Sequence, residues 1–128
     1  MRKIEKLMID AIIARKTFQQ DNTVVIQGTY GSRQYTRVLL HGNMIALFGK
    51  QREVVTLAVW NTQTTKSRVH VLLLYVLDMP ARIRTHKGTC QYMDTRQPDI
   101  WHDLPNDAYL VYDKRTGDLS LMYTCPTV

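Results

Sequence analysis

A chain of 128 residues, 45% hydrophobic and 22% charged, has the size of one domain with its own core and a composition unlike that of disordered or fibrous proteins. Its 17 Lys and Arg outnumber its 11 Asp and Glu, a net charge of +6 that directs attention to polyanions or acidic surfaces as partners. The longest apolar run, residues 69–77, is about half the ~20 residues of a membrane span and contains His70; Glu5, Lys6 and Asp10 interrupt any secretory leader, so a cytoplasmic protein without a membrane partner is expected.

In chain order, residues 2–18 read as a helix whose apolar stripe runs through Ile4, Leu7, Met8, Ala11, Ile12 and Ala14, with Glu5, Ile9 and Ile13 widening it on a second side. A polar break at 19–22 precedes four strand-like stretches at 22–29, 35–40, 44–48 and 53–60. The second and third flank His41-Gly42-Asn43, a hairpin signal in which Gly42 and Asn43 are expected at positive φ. Residues 64–78 read as a central helix capped by Thr64 or Thr65, apolar nearly all round through Val69–Leu77, and ended by Pro80. Two hairpins follow, at 81–93 around Lys87-Gly88 and at 109–123 around 113–117. Between them, residues 94–105 read as an irregular connection anchored by Ile100 and Trp101. The expected fold is a single α+β domain over residues 1–128. It is a curved antiparallel sheet of six to eight strands, packed with an N-terminal helix and a central helix.

Nothing in the pattern carries recognisable catalytic chemistry. His41, His70, His86 and His102 stand alone, without the i, i+4 or H-x-E spacings of a metal centre, and the glycines sit singly rather than in a phosphate loop. Cys90 and Cys125 lie far apart, form no CxxC, and read as reduced, semi-buried strand residues. No cofactor and no metal are expected. The binding signal is stronger. Arg33, Arg37, Lys50, Arg52, Lys66, Arg68, Arg82 and Arg84 fall at turns, strands and the start of the central helix, interleaved with Tyr30 and Tyr35. Arginine supplies planar paired donors for phosphate, and exposed rings supply stacking platforms. Lys66, Arg68 and His70 crowd the first turns of the helix, where a cation opposes the dipole unless an anion sits nearby. Arg68 therefore receives an anion, is solvated, or acts as an internal strut against a carboxylate such as Asp10 or Glu53. A further asymmetry is that Asp94, Asp99, Asp103, Asp107, Asp113 and Asp118 make the segment 94–118 acidic, a second surface or a shield for the basic one.

The stretch 38–46 (VLLHGNMIA) followed by 60–69 (WNTQTTKSRV) resembles small phage-encoded accessory proteins with an LHGN hairpin and a T-x-T-T-x-S-R helix start. The resemblance covers roughly a third of the chain and implies a phage protein that binds nucleic acid or a host protein complex in the host cytoplasm. The leading expectation is a non-enzymatic, basic nucleic-acid-binding protein acting through its basic strands and the helix start at 64–68. The alternative is a protein–protein inhibitor of a host nucleoprotein or defence complex, of the anti-CRISPR type. A small hydrolase or nuclease built from His41, His70 or His102 comes third.

Overall fold

A computed structural model describes residues 1–126. The first helix, α1 (Lys3–Ile13), leads into the strands β1 (Phe18–Gln20), β2 (Thr23–Tyr30), β3 (Arg33–Leu40), β4 (Asn43–Gly49) and β5 (Val54–Leu57). The second helix, α2 (Gln63–Tyr75), is followed by β6 (Ala81–His86), β7 (Thr89–Asp94), β8 (Trp101–Asp103), β9 (Tyr109–Asp113) and β10 (Asp118–Met122). Seven strands form one antiparallel sheet in the order β1-β2-β3-β4-β5-β9-β10. The protein is thus an α+β domain with an N-terminal helix, a central helix and a seven-stranded sheet. The expected single sheet is divided, however: β6, β7 and β8 form a separate three-stranded sheet, and β9 pairs with β5 across the intervening α2 and small sheet.

Cross-strand partners share a face of a sheet, so the register identifies the core layer. Val25, Val38, Ala46, Leu57 and Leu110 stand opposite one another across five neighbouring strands, and all are buried. Met8, Ile9 and Ile12 of α1 and Val69, Leu72 and Leu73 of α2 join the same cluster, each fully buried aliphatic side chain contributing about 1.5–3 kcal/mol.

The α1 stripe differs from its expected line. The buried positions are Glu5, Met8, Ile9 and Ile12, an i, i+3, i+4, i+7 series that includes the acid and leaves Ile13 exposed. The helix also stops five residues early. Arg15 takes a left-handed conformation (φ 54°), with Lys16 N–H bonded to Ala11 O and Arg15 N–H to Ile12 O, a Schellman ending without its usual glycine. Phe18–Gln20 is thereby freed to pair with β2, so the polar break contains a strand.

Other boundaries shift for similar local reasons. The α2 cap is Thr62, whose hydroxyl accepts from Thr65 N–H at 3.2 Å, two or three residues before the expected cap at Thr64 or Thr65. Beyond Leu73 the helix surfaces, leaving Leu74 and Tyr75 exposed. At the β3–β4 turn His41 (φ 52°) and Gly42 (φ 78°) are left-handed, and Asn43 already belongs to β4. In the connection after β7, Ile100 is exposed and Trp101 lies in the short strand β8. Leu104, buried and bonded through its N–H to Cys90 O, anchors the connection instead. Cys90 is buried in β7, whereas Cys125 is exposed beyond the last strand.

Candidate functional site

Three hairpin turns meet at one end of the strands of the large sheet. The β2–β3 turn brings Ser32 and Arg33, the β4–β5 turn brings Lys50, Arg52 and Glu53, and the β9–β10 turn brings Arg115. Together they line a basin of about 500 Å³ with four cations and one carboxylate. Tyr30, the cross-strand partner of Arg33, stands beside it with 74% of its surface exposed. Arg15, Lys50 and Arg52 also line a smaller adjoining cleft of about 210 Å³ against α1.

The turn chemistry sets these side chains. Gly31 (φ 62°) closes the β2–β3 turn, and Arg52 itself is left-handed (φ 53°), a conformation that costs a non-glycine residue about 1–2 kcal/mol. The Arg52 guanidinium lies over the Phe48 ring at 5.5 Å, and its Nε is buried with no hydrogen-bond partner among the described residues. A buried donor left unpaired costs roughly 1–3 kcal/mol, so Arg52 combines two local penalties at the rim of a cavity. Arg115 is held by Asp113, with Nε to Oδ1 and Nη2 to Oδ2 both at 3.1 Å. The Arg115 hydrogen bonds keep the Asp113 carboxyl below its ordinary value. Likewise Asp94 is clamped by Arg96, so two of the six aspartates of the acidic segment pair with cations of that same segment.

The remaining expected binding residues go elsewhere. Tyr35 lies over Gly28 of the neighbouring strand, so closely that a Cβ there would sit 2.4 Å from its ring. Arg37, two residues on, faces the same ring at 5.5 Å, and its buried Nε also has no hydrogen-bond partner among the described residues. Arg82 donates from Nη1 to its neighbour's carbonyl, Ala81 O, at 2.7 Å. Lys66 and Arg84 line a separate open groove between α2 and β6, together with His70.

Arg68 is the main correction. It is 3% exposed, its Nη1 is 2.8 Å from Glu5 Oε2, and its Nε donates to Thr23 Oγ1 at 3.3 Å. Ser67 Oγ donates to Glu5 Oε2 at 2.7 Å, and the Arg2 amide donates to Glu5 Oε1 at 3.1 Å. Arg68 is an internal strut, and its partner is Glu5 rather than Asp10 or Glu53. The Glu5 carboxyl feels burial pushing it up, but the bonds from Ser67, Arg2 and Arg68 outweigh this and hold it below its ordinary 4.5. A signal for this was present in the sequence, since Glu5 falls on the spacing of Met8, Ile9 and Ile12. Arg115 was missed because it sits in the acidic segment, where no local feature ties it to the other hairpin ends.

Among the described residues no three of His, Cys, Asp or Glu come close enough to hold a metal ion. His41 bonds to Asn22 and His102 packs on Tyr92, on different elements. No described helix is long and apolar enough to cross a membrane.

Comparison with known proteins places the chain. The family model described as Kyanoviridae Gp96 protein matches residues 1–105. The chain belongs to this family of phage proteins. The match to the Gp96 family takes in α1 through β8 and three of the four basin cations; β9, β10 and Arg115 lie beyond it. No curated protein and no solved structure matches the chain.

Proposed function

We propose that this protein is a non-enzymatic nucleic-acid-binding protein whose basin receives the phosphate backbone. The observation that carries the reading is the convergence of Arg33, Lys50, Arg52 and Arg115 on one cavity from three separate hairpins, against a single lining carboxylate. Side chains spread over more than 80 residues of sequence meet there, so the positive field is a product of the fold rather than of one basic run. The exposed Tyr30 ring beside Arg33 offers a base a stacking surface, an interaction of about 1–3 kcal/mol per base in single-strand binders. The expected mode is backbone contact with little sequence preference, because phosphate contacts position a strand without reading it.

The test is a binding titration with labelled single- and double-stranded DNA and RNA at several salt concentrations. With three or four phosphates neutralised, raising salt from about 50 to 200 mM weakens binding by roughly one to two decades. A flat salt response removes this reading and favours the alternative, an inhibitor docking on a host nucleoprotein or defence complex.

A further inference from the structure

The three-stranded sheet has two unlike faces. Alternation along β6 puts Ala81, Ile83 and Thr85 on one side and Arg82, Arg84 and His86 on the other. On the first side Ala81 and Cys90 are buried, Ile83 and Tyr92 pack against the core, and Thr85 meets Lys66 of α2, so it is the inner one. The register gives the outer side. Arg84 stands across from Gln91 and then Asp103, and Arg82 across from Met93 and then Trp101. None of these six residues is buried. Arg84 borders the groove beside α2, but its guanidinium lies on the outer side with Gln91 and Trp101.

Both arginines are ordered on this face without being neutralised. The Arg84 guanidinium is stacked over the Trp101 ring at 4.1 Å, and its Nε donates to Gln91 Oε1 at 2.9 Å. Gln91 is fixed in turn by donating to Asp103 Oδ1 at 3.0 Å. Arg82 donates from Nη1 to Ala81 O at 2.7 Å. Among the described residues neither arginine forms an ion pair, and the two terminal nitrogens of Arg84 make no hydrogen bond. An indole holds a cation in place while leaving its charge intact, and such preorganisation removes much of the side-chain entropy that binding otherwise costs. The guanidinium, the indole and Met93 beside them form a flat patch of the kind on which unpaired bases stack. Arg82 and Arg84 leave β6 about 6.6 Å apart and supply donors for the backbone that links those bases. An acidic peptide would use only the edges of the arginines, and a duplex keeps its base faces covered. We propose that the outer face of the three-stranded sheet binds single-stranded nucleic acid, with a base stacked on the Arg84–Trp101 platform and phosphates on Arg82 and the terminal nitrogens of Arg84. The face shares a ligand class with the basin but rests on its own contacts, and it stands whether or not the basin binds nucleic acid.

Trp101 reports on the face directly. The chain has two tryptophans, so Trp60→Phe leaves Trp101 as the sole indole. A thymidine tetranucleotide is titrated into this protein at one fixed salt concentration while indole emission is followed. Parallel arms use an abasic tetranucleotide with the same phosphates and a tetraglutamate peptide. The expected result is saturable quenching by the thymidine strand, with at least tenfold weaker binding in both other arms. Arg84→Lys keeps the charge but loses the plane and is expected to weaken binding of the thymidine strand at least tenfold. Arg82→Gln is expected to weaken it severalfold and serves as the variant if Arg84→Lys melts below the assay temperature. Lys6→Gln, which removes an exposed cation of α1, is expected to titrate like its parent. The absence of saturable quenching overturns the proposal, as does an Arg84→Lys or Arg82→Gln protein that binds as tightly as its parent. An abasic strand that binds as tightly as the thymidine strand also overturns it and leaves charge alone, and a tetraglutamate that does so overturns it in favour of an acidic protein partner. Failure of the basin reading shows instead as a flat salt response, with the base dependence at Trp101 retained.

Discussion

At the scale of single residues, Arg52 and Glu5 are the informative pair, one strained at the surface and one satisfied in the core. Replacing Arg52 with glycine relieves the positive φ of 53° while removing one basin cation. The expected outcome is a thermal midpoint unchanged or slightly raised, with weaker oligonucleotide binding and a salt slope shallower by about one unit or less. Glu5 provides a pH signature. Its folded-state value lies below the ordinary 4.5, so its contribution to stability is complete above the unfolded value and is lost as pH falls through the folded one. Thermal melts from about pH 6 down to 2 should show an acid-induced loss of stability that is shallower in Glu5→Gln, whose amide does not titrate. The comparison with Glu5→Gln isolates this group from Asp94 and Asp113, whose carboxyls are also held low by their arginines.

At the scale of elements, the start of α2 divides into two roles on neighbouring faces. Arg68 points into the core and joins α2 to α1 through Glu5, with Thr23 of β2 as a third partner. Lys66 points to the groove. Removing one member of a buried ion pair leaves the other charge unpaired, which costs about 3–5 kcal/mol. Arg68→Glu should therefore unfold the protein or lower its melting temperature steeply, because it places two carboxylates together in the core. Lys66→Glu should melt within a few degrees of wild type. Circular dichroism melts of the two single variants separate the roles, and similar melts for both would contradict the strut.

At the scale of the whole molecule, the β9–β10 hairpin closes the large sheet and completes the basin at once. It buries Leu110 against Leu57 and delivers Arg115 to hairpin ends formed some 60 residues or more earlier. Truncation after residue 105 would expose β5 as an unpaired edge and open the apolar layer behind it. The expected product is an aggregation-prone protein, measurable as a shift to higher-mass elution relative to the full chain.

The sequence alone determined most of the local structure. Alternation and turn residues mark β2, β3, β4, β6, β7, β9 and β10, and apolar periodicity marks both helices, because these signals act between residues close along the chain. It also led to the expectation of a basic binding protein, with Arg33, Lys50 and Arg52 among the candidate residues. Only the tertiary structure decided how those pieces associate. The short strands β1 and β8 carry no periodicity of their own and exist because neighbours offer them hydrogen bonds. The split into two sheets follows from β9 pairing with β5, a contact across more than 50 residues that no local pattern encodes. The same kind of distance separates Glu5 from Arg68 and Arg33 from Arg115. A charge's role depends on what faces it, and a linear sequence does not state that. Arg68 and Lys66, two residues apart, end as a buried strut and a groove cation because successive helical positions turn by about 100°.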